Sequence, residues 1–176
     1  VLEIKPGYAE AFNNLSSVLN ELGQLDTALK SYEKVLAIKP DFAEAHYNLG
    51  VTLQELDQPD DAIKSYEQAL AIKPDYTEAH NNLGIAHKEI NQLDTAIKCY
   101  EQALAIKPDY AEAHYNLGIA HKDLGQLDEA VKSLEKAISI KSDFAEAHYN
   151  LGGTLEGLGQ LDEALASYDR AFVLKP

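Results

Sequence analysis

The side chains most able to do chemistry in this sequence are six histidines and one cysteine. Four histidines recur at intervals of 34 residues: His46, His80, His114 and His148. Equivalent residues on packed helices lie about 10 Å apart, too far to share a metal ion whose bonds to histidine are about 2.0–2.1 Å long. His87 and His121 fall on the apolar stripe of a predicted helix, and Cys99 has no base placed to activate it. We therefore expect packing roles here, with no metal, no cofactor and no catalysis.

A second recurring side chain has the chemistry of binding. Five asparagines, which we name the asparagine ladder, occupy one register: Asn14, Asn48, Asn82, Asn116 and Asn150. An amide both donates and accepts a hydrogen bond, so it can pair with a peptide backbone whatever the peptide's sequence. Helices about 10 Å apart would match every third residue of an extended chain, which advances about 3.3 Å per residue. The alternatives are that each amide bonds the neighbouring repeat or its own backbone, or is merely duplicated with its repeat.

More variable residues share the helix face of the ladder and are predicted to set selectivity. They are Tyr47, Tyr115, Tyr149, Asn13, Asn81, Lys88 and Lys122. Tyrosine supplies a large contact area at a low entropic cost, which makes the three tyrosines the best aromatic anchors. The alternative is ordinary, half-exposed helix surface.

The elements that must position these residues are internal repeats. Prolines fall on a 34-residue spacing at Pro6, Pro40, Pro74, Pro108 and Pro176, with Ser142 at the missing step. Five repeats follow, at 9–42, 43–76, 77–110, 111–144 and 145–176, and residues 1–8 read as the end of a truncated preceding repeat. We interpret them as one continuous domain.

Each repeat has two stretches with helical apolar spacing, which predicts a pair of helices. Small residues mark where the two helices meet: Gly50, Gly84, Gly118 and Gly152 in the first, and Ala28, Ala62, Ala96, Ala130 and Ala164 in the second. The predicted turns between the paired helices contain Gly23, Asn91, Gly125 and Gly159 and, in the second repeat, Asp57, Gln58 and Pro59.

Aspartates near both helix starts are predicted to be N-caps. Asp26, Asp60, Asp94, Asp128 and Asp162 would cap the second helices, and Asp41, Asp75, Asp109 and Asp143 the first helices. In the first helices, a glutamate three residues later resembles a capping box, as in Asp41 and Glu44.

This pattern of Leu-Gly, alanine, tyrosine, alanine and proline at fixed positions resembles the tetratricopeptide repeat (TPR) family over essentially the whole chain. Leu134 and Ser142 depart from it at the tyrosine and proline positions. The resemblance implies an all-α fold, a right-handed α-solenoid of stacked antiparallel helix pairs whose first helices line a concave groove. The ladder itself resembles that of the TPR region of O-linked N-acetylglucosamine transferases.

The composition limits the partners. A net charge of −14 argues against nucleic acid, which needs a basic surface. No apolar run approaches the ~20 residues of a membrane helix. The chain opens inside a repeat, which suggests a piece of a longer protein, and one cysteine fits a reducing compartment such as the cytoplasm.

These observations predict a non-catalytic scaffold that binds a protein or peptide segment in the groove. Two alternatives stay open. The chain could be the TPR arm of a larger enzyme, such as a glycosyltransferase, or it could self-associate, either end to end or as a homodimer, because open solenoid ends leave apolar surface uncovered.

Overall fold

The computed structural model describes residues 7–175, which form ten α-helices and no strand. The helices are α1 (Gly7–Glu21), α2 (Leu25–Ile38), α3 (Ala43–Glu55), α4 (Pro59–Ile72), α5 (Thr77–Glu89), α6 (Leu93–Ile106), α7 (Ala111–Asp123), α8 (Leu127–Ile140), α9 (Ala145–Gly157) and α10 (Leu161–Leu174). Two helices fall in each predicted repeat, which confirms the all-α class. The predicted remnant at residues 1–8 lies mostly outside the described residues.

Two compact halves divide the chain between Ile90 and Asn91. Helices α1 to α5 form the N-terminal half and α6 to α10 the C-terminal half. Within each half, every helix packs against the helix before it and the helix after it. Each helix pair is therefore stabilised mainly by its neighbours, as in other repeat proteins.

The turns within the pairs rest on one residue with positive φ. In three repeats this residue is a glycine: Gly23, Gly125 and Gly159 have φ of 71°, 74° and 76°. In the other two repeats it is Asp57 or Asn91, with φ of 58° and 60°, respectively. In the first turn, the Gln24 amide donates to the Leu19 carbonyl at 2.9 Å and so completes a Schellman-type C-cap. These five predicted turn residues are confirmed, whereas Pro59, also predicted to lie in a turn, is the first residue of α4 because proline suits the first turn of a helix.

The predicted aspartate caps are wrong. Second helices begin at the residue before the aspartate, so that Gln24 is the N-cap of α2 and Asp26 lies in its first turn. First helices begin two residues after the aspartate, and an aromatic residue such as Phe42 is the N-cap of α3. No N-cap side chain bonds a backbone amide at the start of α2 through α10. The aspartates and glutamates of the first turns still stabilise these helices, because their negative charge lies near the positive end of the helix dipole.

The recurring glycines let the paired helices approach closely, as predicted. A Cβ atom on Gly50 would lie 2.6 Å from Cε1 of Tyr66. At Gly118 it would lie 2.8 Å from Cγ of Leu134, and at Gly152 it would lie 2.8 Å from Cδ1 of Tyr168. The large side chain of the second helix thus occupies the space that a side chain at the glycine position would need. Opposite them, the predicted alanines of the second helices are 0–3% exposed.

Buried tyrosines make the fold sensitive to high pH. Burial is the largest cause that raises the pKa of Tyr32, to about 12, and burial also raises the pKa values of Tyr66 and Tyr76. The unfolded phenol ionises near pH 10, so between about pH 10 and pH 12 only the unfolded state loses its proton. Stability should fall across that window, by about 3 kcal/mol for Tyr32 alone, and these groups should not change it below pH 10.

Urea unfolding between about pH 8 and pH 11, followed by circular dichroism, tests this prediction. Tyr32→Phe is the control and should make the decline shallower, since phenylalanine cannot ionise, while Tyr66 and Tyr76 keep the rest of it. A wild-type midpoint that stays constant over this range would show that these phenols ionise without unfolding the chain.

Candidate peptide-binding site

The asparagine ladder lies on the first helix of every pair. In the N-terminal half, Asn14 is exposed and Asn48 and Asn82 are half-buried, on α1, α3 and α5. In the C-terminal half, Asn116 and Asn150 are half-buried on α7 and α9. The amides therefore lie near the surface of each half, but most of them are partly covered.

Ladder amides bond the residue one place before the ladder position in the preceding repeat. Nδ2 of Asn48 donates to Oδ1 of Asn13 at 3.3 Å, and Nδ2 of Asn82 donates to the Tyr47 hydroxyl at 3.2 Å. In the C-terminal half, Nδ2 of Asn150 donates to the Tyr115 hydroxyl, also at 3.2 Å. These bonds are the neighbouring-repeat role that the sequence left open, and they fix the orientation of each amide.

The ladder amides differ in how many hydrogen-bond donors and acceptors these bonds leave unused. Among the described residues, Asn14 makes no side-chain hydrogen bond, and Asn48 keeps its Oδ1 and one N–H. Oδ1 of Asn82 accepts from Asn81 at 3.2 Å, and the Asn82 amide also interacts with the Tyr66 hydroxyl, so it has little capacity left. Asn150 also donates to the Glu146 carbonyl at 3.0 Å and accepts from Lys122 at 3.5 Å. The spare donors and acceptors are therefore concentrated on Asn14 and Asn48.

Two predicted site residues lie beneath the surface. Asn13 is 1% exposed and Asn81 is 4% exposed. Nδ2 of Asn13 donates to the Glu44 carboxylate at 3.3 Å while its Oδ1 accepts from Asn48. These buried side chains hydrogen-bond to the ladder amides and so help to orient them.

The three predicted tyrosines have different surroundings. The Tyr47 ring packs 4.9 Å from the Tyr76 ring, and the Tyr115 ring packs 4.9 Å from Phe144. Burial raises the pKa of both Tyr47 and Tyr115. Tyr149 is 62% exposed. It is the most open of the three rings.

The open ring of Tyr149 borders a pocket of roughly 480 Å³ in the C-terminal half. Tyr168, Phe172 and Lys175 complete much of its wall, together with Glu146 and Asn150. Sequence reasoning did not identify this pocket. One available signal was Phe172, an aromatic residue at a repeat position that is otherwise leucine or isoleucine.

The predicted lysines and histidines also have defined places. Lys88 and Lys122 are half-buried. Four histidines donate from Nε2 to the carbonyl six residues earlier: His46 to Pro40 at 2.8 Å, His80 to Pro74 at 2.9 Å, His114 to Pro108 at 3.0 Å and His148 to Ser142 at 3.2 Å. Each of these bonds links a first helix to the loop that precedes it. Residues 7–175 contain no cluster of three metal-ligating side chains.

Over the same described range, no helix is long and apolar enough to cross a membrane.

Comparison with known protein families gives repeated matches. A family model described as "TPR repeat" matches residues 17–57, 86–125 and 120–159. Models described as "Tetratricopeptide repeat" match residues 43–76, 145–176 and 65–98. No curated protein matches the chain in sequence.

Solved structures similar to this one include MamA, at 32% identity and a TM-score of 0.84, with 91% of this chain and 94% of that chain covered. A thermophilic TPR protein of Thermus thermophilus is 28% identical with a TM-score of 0.76, over 96% and 92% of the two chains. YrrB, described as a TPR protein with an unusual peptide-binding site, is 24% identical over 94% and 85%, with a TM-score of 0.77. At that identity the likeness to YrrB is one of fold.

Proposed function

Because the chain belongs to the tetratricopeptide repeat family, we propose that it is a non-catalytic scaffold that binds an extended segment of a partner protein. The observation that carries this proposal is the pair of amides with spare hydrogen-bonding capacity, Asn14 and Asn48. The alternative of a TPR arm in a larger enzyme assigns the same role to these residues, since the catalytic domain would lie elsewhere.

The proposed chemistry is recognition of the partner's backbone. One amide offers an N–H to a peptide carbonyl and an oxygen to a peptide N–H, which is the same use of asparagine that the resemblance to O-linked N-acetylglucosamine transferases implies. Asn48 is already oriented by Asn13, so little freedom is lost when a peptide binds. Asn82 continues the ladder on α5.

Selectivity would come from the residues around the amides. In the N-terminal half, Tyr47 presents a ring edge beside Asn82, and Lys88 adds a cation. In the C-terminal half, we propose that Asn116, Tyr115, Tyr149 and Lys122 form a second contact surface. Asn150 would act there by positioning Tyr115 and Lys122, to which it is bonded. Asn13 and Asn81 would act by positioning the ladder amides, since both are buried. A reducing compartment such as the cytoplasm is the proposed location.

Selection of random peptides on the immobilised 176-residue chain tests the proposal. The Asn14→Ala/Asn48→Ala chain serves as the counter-selection, and circular dichroism confirms that it is folded. We expect binders that share few side chains, because the amides contact the backbone. If the same peptides are recovered equally well on both chains, the ladder is not the binding surface.

Self-association is a second candidate function. Apolar side chains are exposed on the first and the last helix, among them Leu15 at 51%, Leu165 at 61% and Phe172 at 70%.

A further inference from the structure

A row of carboxylates runs beside the asparagine ladder in the N-terminal half. Glu55 lies seven residues after Asn48 on α3. Glu89 lies seven residues after Asn82 on α5, and Glu21 holds the same repeat position on α1. Seven residues are almost two helical turns, so each glutamate shares the helix face of its asparagine, about 10 Å along the axis. We name Glu21, Glu55 and Glu89 the acidic row; all three are exposed.

Neutral amides hold two carboxylates of the row in place. Nδ2 of Asn20 donates to Oε2 of Glu55 at 2.9 Å, and Nε2 of Gln54 donates to both carboxylate oxygens of Glu89 at 3.1 Å. The Gln54 amide is itself fixed, because the hydroxyl of the buried Tyr66 donates to its Oε1 at 2.5 Å. The donors carry no charge, so these bonds orient the carboxylates and leave them anionic.

No cation of the chain neutralises the acidic row. Helices α1, α3 and α5 carry six glutamates and one lysine, Lys88. Among residues 7–175, no lysine, arginine or histidine nitrogen lies within 4.0 Å of a carboxylate oxygen of the row. The charge also acts inside the helix pairs. Burial is the largest cause that raises the pKa of Tyr66, and the charges of Glu89 and Glu55 raise it further.

The C-terminal half does not repeat the row. The residues at the same repeat positions are Asp123 and Gly157, so one carboxylate is missing. Lys122 adds a positive charge, and its ammonium lies 3.5 Å from Oδ1 of Asn150. The concentrated negative charge therefore lies in the same half as Asn48, the internal ladder amide that keeps spare hydrogen-bonding capacity.

An apolar strip separates the ladder from the acidic row. Val51 lies between Asn48 and Glu55 on the same side of α3, and Ile85 holds that position on α5. Both side chains are half-buried. An amide, an aliphatic side chain and a carboxylate thus follow one another along the helix. Lysine and arginine match this order, because their hydrocarbon stems pack on apolar surface while their cations reach polar groups.

We propose that the segment bound at the ladder is basic. Its backbone pairs with the spare Oδ1 and N–H of Asn48. The stems of its lysine or arginine side chains cross Val51 and Ile85, and their cations meet Glu55 and Glu89. The inference rests on the proposed function and gives the chemistry of its partner, a protein segment rich in lysine or arginine. The net charge of −14 should also speed the encounter with such a segment.

Fluorescence anisotropy with three labelled peptides tests the inference. The peptides have equal length, and alanine alternates in them with lysine, glutamine or glutamate. At low salt the wild type should bind the lysine peptide about two- to thirtyfold more tightly than the glutamine peptide, as two exposed ion pairs allow. The glutamate peptide should bind most weakly, and added salt should shrink the lysine advantage. Equal affinities for the lysine and glutamine peptides would overturn the inference.

A pair of double variants locates the preference. Glu55→Gln/Glu89→Gln should remove most of the lysine advantage and leave the affinity for the glutamine peptide unchanged. Glutamine keeps an oxygen for the amide donors, so circular dichroism should show unchanged folding. Glu33→Gln/Glu67→Gln is the matched control, since it removes two exposed glutamate charges from the second helices α2 and α4. If both double variants lose the lysine advantage equally, it comes from net charge and the inference is wrong.

The variant Asn48→Ala separates this inference from the proposed function. It should weaken the lysine and glutamine peptides by the same factor, because it removes backbone contacts alone. If it changes neither affinity while Glu55→Gln/Glu89→Gln removes the lysine advantage, the basic preference stands and backbone recognition at the ladder is wrong. If it weakens both peptides and the wild type shows no lysine advantage, the ladder stands and the basic preference is wrong.

Discussion

Replacing Gly50 by alanine is expected to lower the free energy of unfolding by about 1–3 kcal/mol. The added Cβ would lie 2.6 Å from the Tyr66 ring, which is fully buried and cannot swing away. Alanine by itself favours a helix over glycine by about 1 kcal/mol. The steric cost must therefore exceed that gain, and Gly50→Ala should separate α3 from α4.

A glycine inside another first helix supplies the matched control. Gly153 lies inside α9, where an added Cβ would meet only the Tyr168 hydroxyl at 3.3 Å and the Lys122 ammonium at 3.4 Å. The Lys122 ammonium ends a flexible side chain, and the Tyr168 hydroxyl at the tip of its ring need shift by only a few tenths of an ångström. Gly153→Ala should therefore stabilise the chain by up to about 1 kcal/mol. The two substitutions are chemically identical and should act in opposite directions.

Urea denaturation followed by circular dichroism measures both effects. In a double-mutant cycle, Gly50→Ala should cost little once Tyr66→Ala has removed the ring, because the clash is then gone. A Gly50→Ala chain as stable as Gly153→Ala would mean that the packing of Tyr66 against α3 does not require a glycine at position 50.

Changing both Asn14 and Asn48 to alanine is expected to weaken peptide binding by about 30-fold or more. Each amide can make two hydrogen bonds to a peptide backbone, and each bond contributes about 0.5–1.5 kcal/mol net. The loss should be similar for peptides of different sequence, since the contacts are to the backbone. Fluorescence anisotropy with several selected peptides measures it.

The control for the ladder is another asparagine in the same register. Asn150 donates to Tyr115 and Glu146 and accepts from Lys122. It has little capacity left for a ligand, so Asn150→Ala should change peptide affinity far less than the double variant. If Asn150→Ala is equally damaging, the effect comes from altered packing of the repeats and not from lost ligand contacts.

Much of the fold could be predicted from the sequence because its determinants are local. Apolar spacing, turn glycines and the glycine–tyrosine contact all repeat in one register, so five copies support each inference. The cap prediction was wrong for a physical reason. The aromatic ring of Phe42 and its equivalents packs at the entry of the first helix, and the helix begins after the ring rather than after Asp41.

The candidate site was less predictable because it depends on contacts between helices. Asn13 and Asn14 look alike in the sequence, yet one is 1% exposed and the other is exposed. Which amide atoms remain for a ligand depends on the residue that the preceding helix presents, as with Asn13 beneath Asn48. The pocket beside Tyr149 likewise depends on how side chains of α9 and α10 meet, and this cannot be read from spacing alone.

The most direct test of the central claim compares a selected peptide with its backbone ester analogue. The ester removes one peptide N–H, which is the proposed donor to Oδ1 of Asn48. Calorimetry should show that the ester binds the wild type about tenfold more weakly, and that Asn48→Ala binds peptide and ester alike. If the ester weakens binding to the wild type and to Asn48→Ala by the same factor, Asn48 does not contact the peptide backbone.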